Sequence, residues 1–437
     1  MEMTPKQIRT VDKNMATLFR QKELMTDSQA LYKFDLFERC RREIKTTEGR
    51  SLFLTDNAFD SFSKIVDRVD ELLPSRAFLE CEDVDRACRV ALGNLYIEEG
   101  PLKDFDSFLL AVDKIVTKSI KTYRFYTSLD GLDIDGFNEF SIGKLAVVKP
   151  EMQVLRRCNV DEDTAHNIWN NMQGGLWITG EVKGSFAYAE RVFFEDAKAA
   201  SGLLAVSLTT VLERGAAAIR LIPSMEGHMR PSSVSWFSFT TEPMTLCHSA
   251  ILKSHSVSLN KHTCDDMLDC AWFKDLTKII QDRGETDAVL AVQRSIYWFF
   301  DAQADTMPEM QFVKFWSCIE CIFSFEKAGG TTRKITKGLS ALLTCGRYKF
   351  SQIDSRSKLE KDIGNLYDMR CSAVHDARHG HVNGTHVSKV SKWAAWTILE
   401  VTSLIAKGCE TRAEIKEAIE QMKNATHLQH DSVSESS

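Results

Sequence analysis

Leu366-Tyr367-Asp368-Met369-Arg370-Cys371-Ser372-Ala373-Val374-His375 is the stretch on which the reading of this chain turns. Leu359, Ile363, Leu366 and Met369 return every three or four residues, the spacing of one face of an α-helix. That apolar face runs into an arginine and a histidine five positions apart, about 140° around a helix axis. The segments on either side have the same texture. Upstream lie Val289, Val292, Ile296, Phe299 and Phe300, then Phe312, Phe315, Trp316, Ile319 and Phe323, then Ile335, Leu339 and Leu342. Downstream, Val390, Trp393, Trp396, Ile398, Val401, Leu404 and Ile405 mark one more strongly apolar helix. Each face is too apolar to stand in water and no convincing strand interrupts the series, so residues 285–408 are expected to form an all-α bundle.

Asp282-Arg283-Gly284 reads as a helix stop and Glu285-Thr286-Asp287 as a fresh start, which places a boundary before the bundle. Residues 128–283 have a different pattern. Gly131, Gly136 and Gly143 punctuate short apolar runs, and strands are expected at Leu145–Val148, Leu176–Thr179, Ala218–Ile222, Val234–Phe239 and Ala250–Leu252. With a helix over Phe194 to Glu213 and further helix over Thr263 to Ile280, this middle part is expected to be an α+β domain with a sensing or regulatory role. Residues 1–127 read as mainly helical, as in Phe105, Phe108, Leu109, Val112, Ile115, Val116 and Ile120. After the bundle, residues 409–437 are expected to hold a short helix capped by Thr411-Arg412-Ala413-Glu414 and a disordered serine-rich tail from His427. The fold class is α+β: an N-terminal helical and α+β region followed by an all-α bundle.

The composition narrows the function classes. Of 437 residues, 43% are hydrophobic and 27% charged, with no apolar run of bilayer length, so no membrane association is expected. Met1 to Gln7 lacks the apolar run of a secretory signal, and the expected location is cytoplasmic. The twelve cysteines follow no framework spacing and are expected to be reduced. A net charge of −6 argues against a protein that coats nucleic acid over its whole surface, so any RNA contact must be local. No cofactor or metal is expected. Cys318-x-x-Cys321 falls inside an amphipathic helix, and Cys247, His248, His255, His262, Cys264 and Cys270 are irregularly spaced for zinc. Asp133-Ile134-Asp135-Gly136 lacks the start and the terminal glutamate of a calcium loop.

The Arg370-x4-His375 segment, preceded by Leu366-Tyr367, resembles the signature of the HEPN superfamily, specifically its ApeA-like branch. The aromatic segment Phe312 to Phe323, with Glu320 on its inner side, is similar to that branch's second signature, and the two occur in the expected order. The resemblance covers about the last third of the chain. It implies a helical bundle that pairs with a second copy, making a homodimer with a composite groove, and a metal-independent endoribonuclease in which Arg370 and His375 are catalytic. It further implies that Glu320 holds Arg370. Members often carry Asn, Asp or His after the arginine and Gly after the histidine; here Cys371, Ser372 and Asp376 stand nearby and are expected to play supporting parts.

The residue types suit such chemistry. Without metal, the RNA 2′-OH attacks the neighbouring phosphorus, so protons must move and negative charge must be met. Histidine exchanges protons near neutral pH, and arginine offers a permanently charged fork to phosphate oxygens. Arg333, Lys334, Lys337, Arg378 and His379 are candidates for RNA binding, with Arg347 and Lys349 on the same rim. The expected partners are RNA, tRNA among the candidates, a second copy of the chain, and a phage-derived trigger for an antiviral, abortive-infection or toxin-like effector. The alternative is a non-catalytic HEPN module that binds RNA or protein.

Overall fold

The computed structural model describes residues 3–46, 49–97, 104–158, 161–212, 219–225, 233–241, 244–252, 256–281, 286–323, 331–375 and 381–434, with the side chains of 21, 233–241, 244–252, 331–332 and 425–434 outside that description. The chain is α+β. It divides into two compact units, Met1–Phe125 with Glu181–Phe193, and Tyr126–Gly180 with Phe194–Ser437. Most of residues 128–283 fall in the same unit as the helices that follow, while Glu181–Phe193 falls in the first unit.

The first unit carries helices α1 (Pro5–Leu18), α2 (Asp27–Lys33), α3 (Leu36–Arg42), α4 (Asp56–Leu72), α5 (Cys81–Ile97) and α6 (Phe105–Ser119). Thr4, Thr55 and Asp104 cap α1, α4 and α6 by accepting from backbone N–H groups of the first turn. Leu18, Phe62, Ile65, Val69, Leu92, Phe108 and Val112 close one core. The mainly helical region also carries strands that were not expected from the sequence. Strands β1 (Leu24–Met25), β2 (Glu43–Lys45) and β3 (Ser51–Leu54) form an antiparallel sheet in the order β1-β3-β2. Strands of two to four residues are too short to show an alternation in sequence.

Strand β4 (Lys121–Asp130) also begins before Ser128, because Thr122, Tyr123, Phe125 and Tyr126 are β-branched or aromatic residues that favour a pleated surface. It is followed by β5 (Leu132–Asp135), β6 (Glu139–Ile142), β7 (Leu145–Val148), α7 (Met152–Arg156), α8 (Glu162–Met172), β8 (Leu176–Gly184) and α9 (Phe186–Val211), a helix that starts eight residues earlier than the sequence indicated. Then come β9 (Ile222–Pro223), β10 (Ser233–Thr241), β11 (Met244–Leu252) and β12 (Val257–Asn260). The main sheet has the order β6-β7-β8-β4-β9, β10 pairs antiparallel with β11, and β12 runs parallel to β5 with Val257 opposite Leu132. Gly131 makes the corner between β4 and β5 at φ +89°, where a Cβ would lie 1.6 Å from the carbonyl oxygen of Arg220.

The strand expected over Ala218–Ile222 is present only as Ile222–Pro223, with Ala218 outside the described residues. Leu221 pairs with a side chain instead of a strand. Its N–H donates to Gln303 Oε1 at 2.9 Å, and Gln303 Nε2 donates to its carbonyl oxygen at 2.8 Å. Gln303 is fully buried, so its amide stands in for a neighbouring backbone. Gln303→Leu keeps the volume but leaves a buried donor and a buried acceptor unmet. It is expected to cost about 2–4 kcal/mol, read as a fall in the urea midpoint at unchanged slope. An unchanged midpoint would show that Leu221 finds other partners.

The remaining elements are helical: α10 (Lys261–Asp269), α11 (Ala271–Gln281), α12 (Asp287–Ala304), α13 (Pro308–Phe323), α14 (Thr331–Cys345), α15 (Arg356–His375), α16 (Gly384–Ile405) and α17 (Arg412–Ser434). Thr286 caps α12, while the stop expected at Asp282 to Gly284 lies outside the described residues. The faces legible in the sequence meet in the core: Phe299 lies edge-on to Phe315 at 5.0 Å, and Trp316 to Trp393 at 6.3 Å. The capping box of Thr411 and Glu414 is present, but the helix it starts is long, continuing to Ser434 where a disordered tail was expected. Once nucleated, a run of Ala, Glu, Lys, Gln and Met propagates readily. Among the described residues, no helix is long and apolar enough to cross a membrane.

Candidate functional site

Helices α13 and α15 bring the sequence-selected residues together. Glu320, in the penultimate turn of α13, faces α15, and its two carboxylate oxygens are taken by different donors. Arg370 donates from Nη2 to Oε2 at 2.7 Å, and the Tyr367 hydroxyl donates to Oε1 at 2.8 Å. Tyr367 and Arg370 are three residues apart and so share one face of α15, which lets one carboxylate hold both. The guanidinium stands 5.8 Å from the centroid of the Tyr367 ring, and that ring is edge-on to Trp316 at 5.2 Å. Glu320 therefore does hold Arg370, as the resemblance implied, by a charge-assisted bond with both side chains mostly out of water.

Tyr367 had no assigned part in the sequence reading. Its ring is buried, and burial together with the bond to the Glu320 carboxylate pushes its hydroxyl far above the ordinary phenol range. It stays protonated, and therefore a donor, across the working pH of most proteins. Two further donors are buried here without an acceptor among the described residues, Arg370 Nε and Trp316 Nε1.

His375 is placed differently. It is the last residue of α15, exposed, with no hydrogen-bond or ion-pair partner among the described residues. The two residues do not share a helix face, as their spacing required. Between them, Cys371 and Ser372 are half-buried and Ala373 is buried, which fixes the last turn against the bundle and leaves Val374 and His375 outside. Asp376, Arg378 and His379 lie outside the described residues. Arg333, Lys334 and Lys337 are all exposed on α14, at positions that place them on one side of the helix.

Other residues singled out in the sequence find structural roles. Cys318 is fully buried, and burial raises its thiol well above the usual range; Cys321, half-buried, is raised for the same reason. Cys264 is buried in α10, and His262 is exposed and 3.1 Å from Asp266. Cys247, His248 and His255 lie outside the described side chains. Among the described residues, no three His, Cys, Asp or Glu side chains stand close enough to share a metal ion. Comparison of the chain with models of known families, with curated proteins and with solved structures finds no match.

Proposed function

We propose that the chain is a metal-independent endoribonuclease of HEPN type, an antiviral or toxin-like effector that cleaves RNA by attack of a 2′-OH on the neighbouring phosphorus. The observation that carries the reading is the contrast between a guanidinium clamped by Glu320 and an imidazole exposed at the end of the same helix, with no partner among the described residues. A phosphate in the transition state needs a fixed cation, because a donor that must reorganise gives back much of its advantage. Proton transfer needs a group that reaches solvent and substrate, which an exposed terminal histidine does. Since the two side chains point about 140° apart around α15, one copy does not wrap a phosphate well, and we assign the complete site to a homodimer. The exposed cations Arg333, Lys334 and Lys337 supply local positive charge in a chain whose net charge is negative.

Purified protein incubated with total RNA or a tRNA pool in excess EDTA is expected to cut, leaving 2′,3′-cyclic phosphate ends. An oligonucleotide carrying 2′-deoxyribose at the cut position is expected to survive. Cleavage that stops in EDTA overturns the metal-independent chemistry, and RNA left uncut even after expression of the protein during phage infection moves the assignment to a module that binds RNA or protein without cutting it.

A further inference from the structure

The link between α14 and α15 is built with more care than a connection needs. Gly346 is wedged where a Cβ would come within 2.4 Å of the Leu342 carbonyl oxygen and 2.5 Å of Glu400 Oε2, so only glycine fits. Glu400, on α16 and 1% exposed, accepts the backbone N–H of Arg347 and of Tyr348, each at 2.7 Å. The Tyr348 and Phe350 rings pack on Trp396, with centroids 5.9 and 5.5 Å away, and the Ser351 N–H returns to the Leu343 carbonyl oxygen at 3.0 Å. Between the two aromatic residues, Lys349 takes φ +48°, the one non-glycine residue with positive φ among those described. A lysine in the left-handed region persists only where its surroundings fix it, and such strain collects at functional sites.

The result is an alternation: Tyr348 and Phe350 turn inward, while Arg347 and Lys349 are exposed. Lys407, exposed just past α16, is close enough for its charge to act on the Glu400 carboxylate. None of the three cations is in an ion pair among the described residues. Of the acidic groups near the turn, Glu400 is buried beneath it and Asp275 acts on Tyr348. With its rings already packed on Trp396, the turn offers charge and little apolar surface, which suits a polyanionic backbone better than an apolar peptide. A backbone held by Glu400 also loses little freedom on binding.

We propose that the turn Gly346–Phe350 is a phosphate-gripping element for RNA, with Arg347, Lys349 and Lys407 as its cations and Glu400 as its positioning residue; the choice of RNA as the polyanion rests on the function proposed above. The test uses the full chain carrying His375→Ala, so that RNA is not consumed, and a fluorescent oligouridine titrated in EDTA at several salt concentrations. Adding Arg347→Ala, Lys349→Ala and Lys407→Ala is expected to weaken binding by on the order of tenfold near 0.1 M salt and to lower the slope of log affinity against log salt by about 2. Unchanged affinity and slope overturn the proposal, as does a chain that binds no oligouridine, or one that polyglutamate occupies equally well. RNA bound through the turn but never cut by the wild-type chain defeats the nuclease and leaves the turn standing. Cleavage at limiting RNA that the triple replacement does not slow defeats the turn and leaves the nuclease standing.

Discussion

His375→Ala is expected to lower RNA cleavage by about 10²–10⁴-fold, the usual weight of a general acid or base, while RNA affinity and thermal stability stay close to those of the wild type. The split follows from where the side chain sits. His375 is exposed at the end of α15 with no partner among the described residues, so truncating it removes no packing and strands no buried group. Arg370→Ala makes a poorer probe, although its loss of cleavage should be of similar size. It deletes the partner of a mostly buried carboxylate, so activity and stability fall together and a loss of cleavage has two explanations. Arg370→Lys separates them. A lysine retains the charge facing Glu320 but not the planar fork, so most stability should be recovered while cleavage stays low. The measurements are single-turnover cleavage, RNA binding and a thermal melt on the same preparations. A His375→Ala enzyme that cuts at the wild-type rate removes His375 from the reaction.

How far the sequence reached can be judged from particular residues. The bundle was legible because its apolar residues keep a helical period over five helices, and Trp316 and Trp393 do meet in its core. The pair Glu320 and Arg370 was legible through resemblance; no local pattern links positions fifty residues apart. Tyr367 was within reach, since it lies one turn before Arg370, but its ring also reads as ordinary core and nothing in the sequence says where a phenol hydroxyl points. Short strands such as Leu24–Met25 and Glu43–Lys45 were missed because they are held by their sheet partner, not by propensity. The strand expected over Ala218–Ile222 failed for a related reason. Leu221 found its partner in Gln303, eighty-two positions away, and a glutamine on the face of an apolar helix gives no sign that it serves as backbone. Glu400 was equally opaque: an acidic residue within the apolar run of α16 looks like an error in the pattern until the two N–H groups it accepts are seen.

Glu320→Ala is expected to destabilise the second unit by about 2–3 kcal/mol, less than the roughly 3–5 kcal/mol for breaking a fully buried ion pair. The discount reflects exposure, since the Arg370 and Glu320 side chains remain 17% and 18% accessible and water can partly solvate what is stranded. Two donors lose their acceptor at once, and Arg370 Nε has no acceptor among the described residues even before the change. Tyr367→Phe removes only one neutral donor and is expected to cost about 1 kcal/mol. Compensation should be visible in a double variant. In Glu320→Ala with Arg370→Met, no charge is left unpaired, and an apolar chain can fill space against Tyr367, so the pair of changes should cost less than Glu320→Ala alone. Urea unfolding of wild type, Glu320→Ala, Arg370→Met, the double variant and Tyr367→Phe decides the matter. If the double variant is instead as unstable as the sum of its parts, Glu320 and Arg370 are not coupled. The guanidinium would then be held by packing on Tyr367, and its fixed position, on which the proposed phosphate chemistry depends, would need another cause.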